Sequence, residues 1–126
     1  PRFVRAASPT TLAAAVAAAT RDERDASGLG NVAVICPSSY VEPLAAGLEA
    51  SGLEFGVAPR SGLDLQVTLV PVGMVKGLEV DASVVVEPAG IVAEEAQGMR
   101  ALYVALTRST KRLCIVHAEP LPEPLR

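Results

Sequence analysis

Aromatic residues are scarce in this sequence: two Phe, two Tyr and no Trp among 126 residues. Half of the residues are nonetheless apolar. The core must therefore be built from Ala, Val and Leu, with small side chains and close approach of elements. There are only two cysteines, Cys36 and Cys114, far apart and each inside an apolar run. That excludes a disulfide framework and predicts two buried, reduced thiols. The one histidine, His117, ends an apolar run with no companion, so it is read as structural rather than as a metal ligand. A surplus of positive charge is also missing, because the formal net charge is −3. A stand-alone nucleic-acid binder carries a basic stripe. Any grip on nucleic acid must come from a few local cations or from other parts of the protein. No signal peptide and no apolar run of transmembrane length occur, and a cytoplasmic location is the expectation. The chain opens on Pro1 without an initiator Met, which reads as a piece of something longer.

What is present is an alternation of strand-like and helix-like stretches, long enough for one domain with a core. Arg2–Ala7 reads as a strand. Ser8-Pro9 is a helix-start signal for an alanine-dominated helix over Thr10–Asp25, with Leu12, Val16 and Ala19 as its apolar stripe. Its charged end, Arg21 to Asp25, reads as a solvated last turn. Val32–Cys36 is a continuous β-branched run, the pattern of a strand buried on both faces of a parallel sheet. Ser39 and Glu42 have capping-box spacing for a helix to about Ala50. Leu53–Val57 reads as a short strand, Pro59-Arg-Ser-Gly62 as a short connector, and Val67–Val72 and Ala82–Glu87 as further strands. Pro88-Ala-Gly90 reads as a loop, and a long helix is expected to begin at Val92 or Glu94. Arg112–His117 closes as a strand. Glu119–Arg126, with prolines at alternate positions, reads as an extended, weakly ordered tail. The pattern predicts an α/β fold with a mainly parallel sheet flanked by helices.

Two short stretches carry the chemistry. In the last helix Met99, Leu102 and Leu106 recur at helical spacing, which puts Arg108 on the opposite side. Upstream, Val75-Lys-Gly-Leu-Glu-Val-Asp81 follows a strand, with Gly77 permitting close backbone approach and Glu79 placed just beyond a strand end, where open α/β sheets bind ligands. Tyr103-Val-Ala-Leu-Thr-Arg108 resembles motif VI of the UvrD/Rep-type superfamily I helicases, and Val75–Asp81 resembles their motif V, usually KGLEFD. The order and flanking strands match, and the resemblance is specific over roughly residues 67–117.

The resemblance implies the second, C-terminal RecA-like motor domain, a three-layer phosphate-loop-NTPase-like fold over 1–118, with motif V near 75–81, motif VI near 100–112 and the proline-rich tail at 119–126. It implies that Arg108 is an arginine finger reaching the γ-phosphate of ATP held by a different domain. Arg suits this better than Lys, because its planar fork can hold phosphate oxygens in a bidentate manner. It implies that Gly77 and Glu79 face the nucleotide, Glu79 at the ribose, with Lys76, Arg100 and Thr107 as weaker contacts. No Gly-x-x-x-x-Gly-Lys-Ser/Thr occurs, and no acidic pair for magnesium follows a strand. Glu87 ends a strand, but Pro88 and the motif order argue against a metal role. ATP and Mg would thus be bound mainly by a missing N-terminal RecA-like domain, and the fragment alone is expected to be inactive.

Departures from the family pattern bear on the polymer acted on. Family motif V has Thr and His where this chain has Pro71 and Gly73, and these residues help to grip single-stranded DNA. Val80 replaces a Phe. Of the Glu-Glu-Arg-Arg often preceding Tyr103, only Arg100 remains. Helicase IV and HelD-like proteins, which act with RNA polymerase in some bacteria, look similar around RALYVALTR. The cluster Arg108, Lys111, Arg112 suits phosphate or a solvated helix end equally well. Tyr103 is expected to pack beneath the nucleotide-facing surface. Two functions from different classes stay open: a motor domain of a helicase or ATPase acting on DNA or an RNA polymerase complex, and a non-enzymatic α/β interaction module.

Overall fold

The computed structural model describes residues 1–58 and 65–126, so the Pro59–Gly62 connector lies outside the described residues. Six parallel strands form one sheet in the order β1-β6-β5-β2-β4-β3. They are β1 (Arg2–Arg5), β2 (Val32–Cys36), β3 (Gly56–Val57), β4 (Val67–Pro71), β5 (Val80–Val86) and β6 (Ser109–His117). Every residue of β2 is buried. This is what a continuous apolar run demands when both sheet faces are covered.

Helices α1 (Leu12–Ala26) and α2 (Val41–Ala50) cover one face. There Leu12, Val16, Leu44 and Leu48 meet Val32, Val34, Leu69, Val84 and Val116. Helices α3 (Pro88–Glu94) and α4 (Gly98–Leu106) cover the other. There Ile91, Leu102 and Ala105 meet Ala33, Ile35, Val70, Val85 and Ile115. Neighbouring strand residues alternate between these two clusters, as the period of two requires. The result is a three-layer α/β architecture with small residues at most contacts.

Several local expectations change. The long final helix is two helices, and Pro88-Ala-Gly90 belongs to the first of them rather than to a loop. The apolar stripe of α4 is Leu102 with Ala105, not Met99, which is 46% exposed. Leu106 is only partly buried. The charged end of α1 is not simply solvated. Glu23 is buried and accepts hydrogen bonds from Arg2 Nη2 at 3.0 Å and Arg112 Nε at 2.7 Å. Ser39 does not cap α2. Its hydroxyl and N–H donate to the Glu94 carboxylate across the crevice between the two faces. The tail is folded back rather than loose: Glu123–Leu125 forms a 3-10 turn, and Leu121 and Leu125 pack on the second cluster.

Candidate functional site

The site is built where the amino ends of β5 and β6 meet. Arg108 does not sit on α4. It lies two residues beyond the last helical residue, Leu106, and one beyond the C-cap, Thr107. Its direction is therefore set by the turn into β6, not by helical phase. The guanidinium folds back over the helix end, where carbonyls lack intrahelical partners and a cation is favoured. Nε donates to Val104 O at 2.9 Å and Nη2 to Thr107 Oγ1 at 3.1 Å. Nη1 reaches Leu78 O, in the Val75–Asp81 stretch, at 3.4 Å. Thr107 completes the arrangement by donating its hydroxyl to Tyr103 O and Val104 O, both at 3.1 Å. A guanidinium has five N–H donors. Among the described residues three are engaged, which leaves two on the terminal nitrogens.

The stretch from β4 to β5 crosses the second face of the sheet. Val72 and Val75 are buried on it and pin the crossing. Lys76, Gly77 and Glu79 are exposed. Glu79 immediately precedes β5, at the amino end of that strand rather than beyond a carboxyl end as its sequence setting predicted. It is adjacent to Arg108, since Val80 N donates to Arg108 O at 3.1 Å. Gly77 is required for its backbone, at φ +85°. A Cβ there would meet nothing within 4 Å, so it is not a close-approach glycine.

The pairing of β5 with β6 is irregular at this place. Val80 pairs with Ser109 and Ala82 with Arg112, so two steps on β5 oppose three on β6. A bulge of this kind re-aims side chains. Ser83 Oγ to Ser109 Oγ at 3.0 Å and Lys111 Nζ to Asp81 Oδ1 at 3.5 Å knit the edge together.

Arg100 is elsewhere. With Lys76 and the acid Glu95 it lines a groove of about 400 Å³ between the β4–β5 crossing and the start of α4, with Val72, Val75, Ala101 and Val104 among its apolar lining. Both cations are exposed, and neither makes an ion pair among the described residues. The six candidate residues thus divide. Glu79, Thr107 and Arg108 share the amino edge, Lys76 and Gly77 lie in the crossing, and Arg100 joins Lys76 across the groove. Tyr103 is 69% exposed rather than packed beneath the surface. Lys111 and Arg112 are committed to Asp81 and Glu23.

Glu23 was missed as a structural acid. Its sequence setting, a run of charges at a helix end, resembles a solvated face. The usable signal was position: Glu23 follows Val16 and Ala19 at helical spacing on the buried stripe. Burial disfavours its charge, but the hydrogen bonds from Arg112 and Arg2 outweigh this and hold the carboxyl below its ordinary value. Cys36 and Cys114 are buried free thiols, and burial pushes Cys36 up to about 12 and raises Cys114 as well, which disfavours the thiolate at both. Among the described residues no His, Cys, Asp and Glu side chains group as metal ligands, and no helix is long and apolar enough to cross a membrane.

No family model matches the chain, and no curated protein matches it. Solved structures do. The C-terminal domain of a possible DNA helicase from Lactobacillus plantarum is similar over 99% of this chain and 78% of its own length, with TM-score 0.77 and 24% identity. The Sulfolobus solfataricus SWI2/SNF2 ATPase core in complex with double-stranded DNA is similar over 94% of this chain, with TM-score 0.68 and 19% identity. An arterivirus nonstructural protein 10 helicase with DNA is similar over 99%, with TM-score 0.61 and 13% identity. The chain spans 28% and 32% of the last two. The domain therefore has the α/β RecA-like fold found in helicase and ATPase structures.

Proposed function

We propose that this chain is the second, C-terminal motor domain of a UvrD-like superfamily I helicase or ATPase, working with a phosphate-loop domain in the same protein. The observation that carries the reading is the Arg108 junction. One guanidinium ties the end of α4 to the motif V stretch and keeps two donors spare beside Glu79. Such a group stabilises charge that develops on a transferring phosphoryl group, and supplying it from a second domain couples hydrolysis to closure. ATP and Mg would be held mainly by the other domain. The residues here fit the complementary part, with Arg108 towards the γ-phosphate, Thr107 positioning it and Glu79 at the ribose. The Lys76–Arg100 groove would follow a phosphate backbone. Two of the similar structures are bound to DNA, which favours DNA over an RNA polymerase complex as the target.

The test is steady-state ATP hydrolysis by the full-length protein at saturating nucleotide. Arg108→Ala should lower turnover by about 10³-fold or more, the scale of other arginine fingers. Its cost in stability should stay near 1 kcal/mol, the worth of a few part-exposed hydrogen bonds. Arg108→Lys should rescue little, because the charge stays and the fork is lost. Near-normal turnover in a folded Arg108→Ala protein would reduce this arginine to a helix cap and remove the support for a motor.

A further inference from the structure

The carboxyl edge of the sheet holds a second feature, at the opposite end of β5 from Arg108. The chain leaves β2 towards α2 on one face and leaves β5 towards α3 on the other. The carboxyl ends of β2 and β5 are therefore a topological switch point, where open α/β sheets form a crevice. Glu87 directly follows β5 and has a left-handed backbone, φ 49° and ψ 71°, an uncommon conformation for a non-glycine residue. Its side chain is buried. Oε1 accepts the N–H groups of Ala118 at 3.0 Å and Glu119 at 3.2 Å. Oε2 is buried and has no partner among the described residues. An unmatched carboxylate oxygen of this kind is costly to keep.

Glu87 lines a cavity of about 260 Å³ together with Ser39, Tyr40, Glu119, Leu12 and Leu44. Among the described residues no Lys or Arg lines it. Burial, and then the charges of Glu87, Glu94 and Glu119, push the Tyr40 phenol up. The polar groups are thus carboxylates and hydroxyls, with apolar walls between them. An anion is excluded by the charge. A divalent metal is disfavoured because these carboxylates do not group as ligands among the described residues. We propose that this crevice binds a primary ammonium or guanidinium group, its N–H donors meeting Glu87 Oε2 and Glu119 and its alkyl stem lying on Leu12 and Leu44. Charge-assisted hydrogen bonds of this kind are short and directional, and a Lys or Arg stem suits such apolar walls. Because Oε2 is covered, entry requires a local rearrangement of the side chains that line the crevice. The site does not depend on the motor reading, since it lies roughly 25 Å from Arg108 along β5 at about 3.3 Å per residue.

The test is a titration of the 126-residue chain followed by backbone amide NMR at constant ionic strength. Methylguanidinium and methylammonium are the probes, with tetramethylammonium, which has no N–H, as the control. Saturable shifts at Ser39, Tyr40, Glu87 and Glu119 with the donors only are expected. Glu87→Gln keeps an acceptor for Ala118 and Glu119 but removes the charge, and should weaken binding at least tenfold. Should that variant unfold, Glu119→Gln should weaken binding severalfold. Putrescine and a blocked Gly-Arg-Gly peptide distinguish the two sources. Binding of putrescine alone assigns a free amine, and binding of the peptide assigns a protein side chain. Absence of saturable shifts, an equal response to tetramethylammonium, or the same shifts with magnesium chloride would overturn the proposal.

Discussion

At the scale of the residue, charge and backbone geometry decide more than residue type. Glu23 stands in a run of charges and Glu79 between two apolar residues, yet Glu23 is buried between two arginines and Glu79 is exposed. The pairing of Glu23 makes a pH prediction. Its folded carboxyl titrates below the ordinary value of 4.5. A depressed carboxyl contributes stability above the unfolded value and loses it as pH falls through the folded one. Wild-type protein should therefore lose more stability than Glu23→Gln as pH drops below about 5, the difference vanishing once both states are protonated. Urea melts of the two proteins between neutral and acid pH check this, and parallel pH profiles would deny Glu23 the role. Gly77 offers a second test at this scale. Open space surrounds the missing Cβ, so only the positive φ resists a side chain. Gly77→Ala should cost about 1–2 kcal/mol, the price of the left-handed region for an L-residue. Gly77→Asn should cost less, because Asn tolerates that region better. Equal melts for all three proteins would show that the loop adopts another conformation in solution.

At the scale of the element, the break between α3 and α4 is where sequence and structure part most. The apolar periodicity around Leu102 gave the helix and its general position. It did not give the start, because Val92 to Leu106 lacks a proline or capping serine to mark the interruption. The marker is Gly98, which lets the first turn of α4 press against the backbone of Val92. That is a contact between residues, not a local preference. Strands were more legible. β2 and β5 are β-branched runs buried on both faces, a signal that needs no partner to read. The bulge in β6 left no trace in the sequence, since it arises in the pairing with β5, and nothing in the sequence marks the αL turn at Glu87. Of the candidate site, the motif resemblance singled out Arg108 and Glu79, and the structure brings them to one edge, while Thr107 as the support of Arg108 emerged only with the hydrogen bonds. The break predicts that Gly98→Ala destabilises the domain by about 1–3 kcal/mol, the cost of forcing a group into a filled space. The loss should appear in hydrogen exchange as faster opening of α3 and α4 than of β2 and β5. Uniform protection across the domain would mean that the two helices move apart without strain.

At the scale of the whole molecule, the proposed motor reading makes the amino edge of β5 and β6 one half of a reaction centre. Arg108 offers two unused donors, and Glu79 stands exposed beside it. No phosphate loop occurs in the sequence, so the triphosphate has no backbone cradle on this chain. A guanidinium alone holds a nucleotide weakly, because a solvated ion pair contributes about 1 kcal/mol or less. The purified 126-residue chain should accordingly release no phosphate from ATP above the buffer rate. Joined to the phosphate-loop domain that the motor reading requires, the same chain should release phosphate, and that activity should depend on Arg108. Its KM for ATP should rise on Glu79→Gln, since a ribose contact acts on binding more than on the chemical step. The two arms separate the fold from the chemistry. Turnover by the isolated chain, abolished by a substitution within it, would place a complete active site where only half is drawn. Turnover by the joined protein that ignores Arg108 would leave this domain a RecA-like scaffold whose edge serves some other contact.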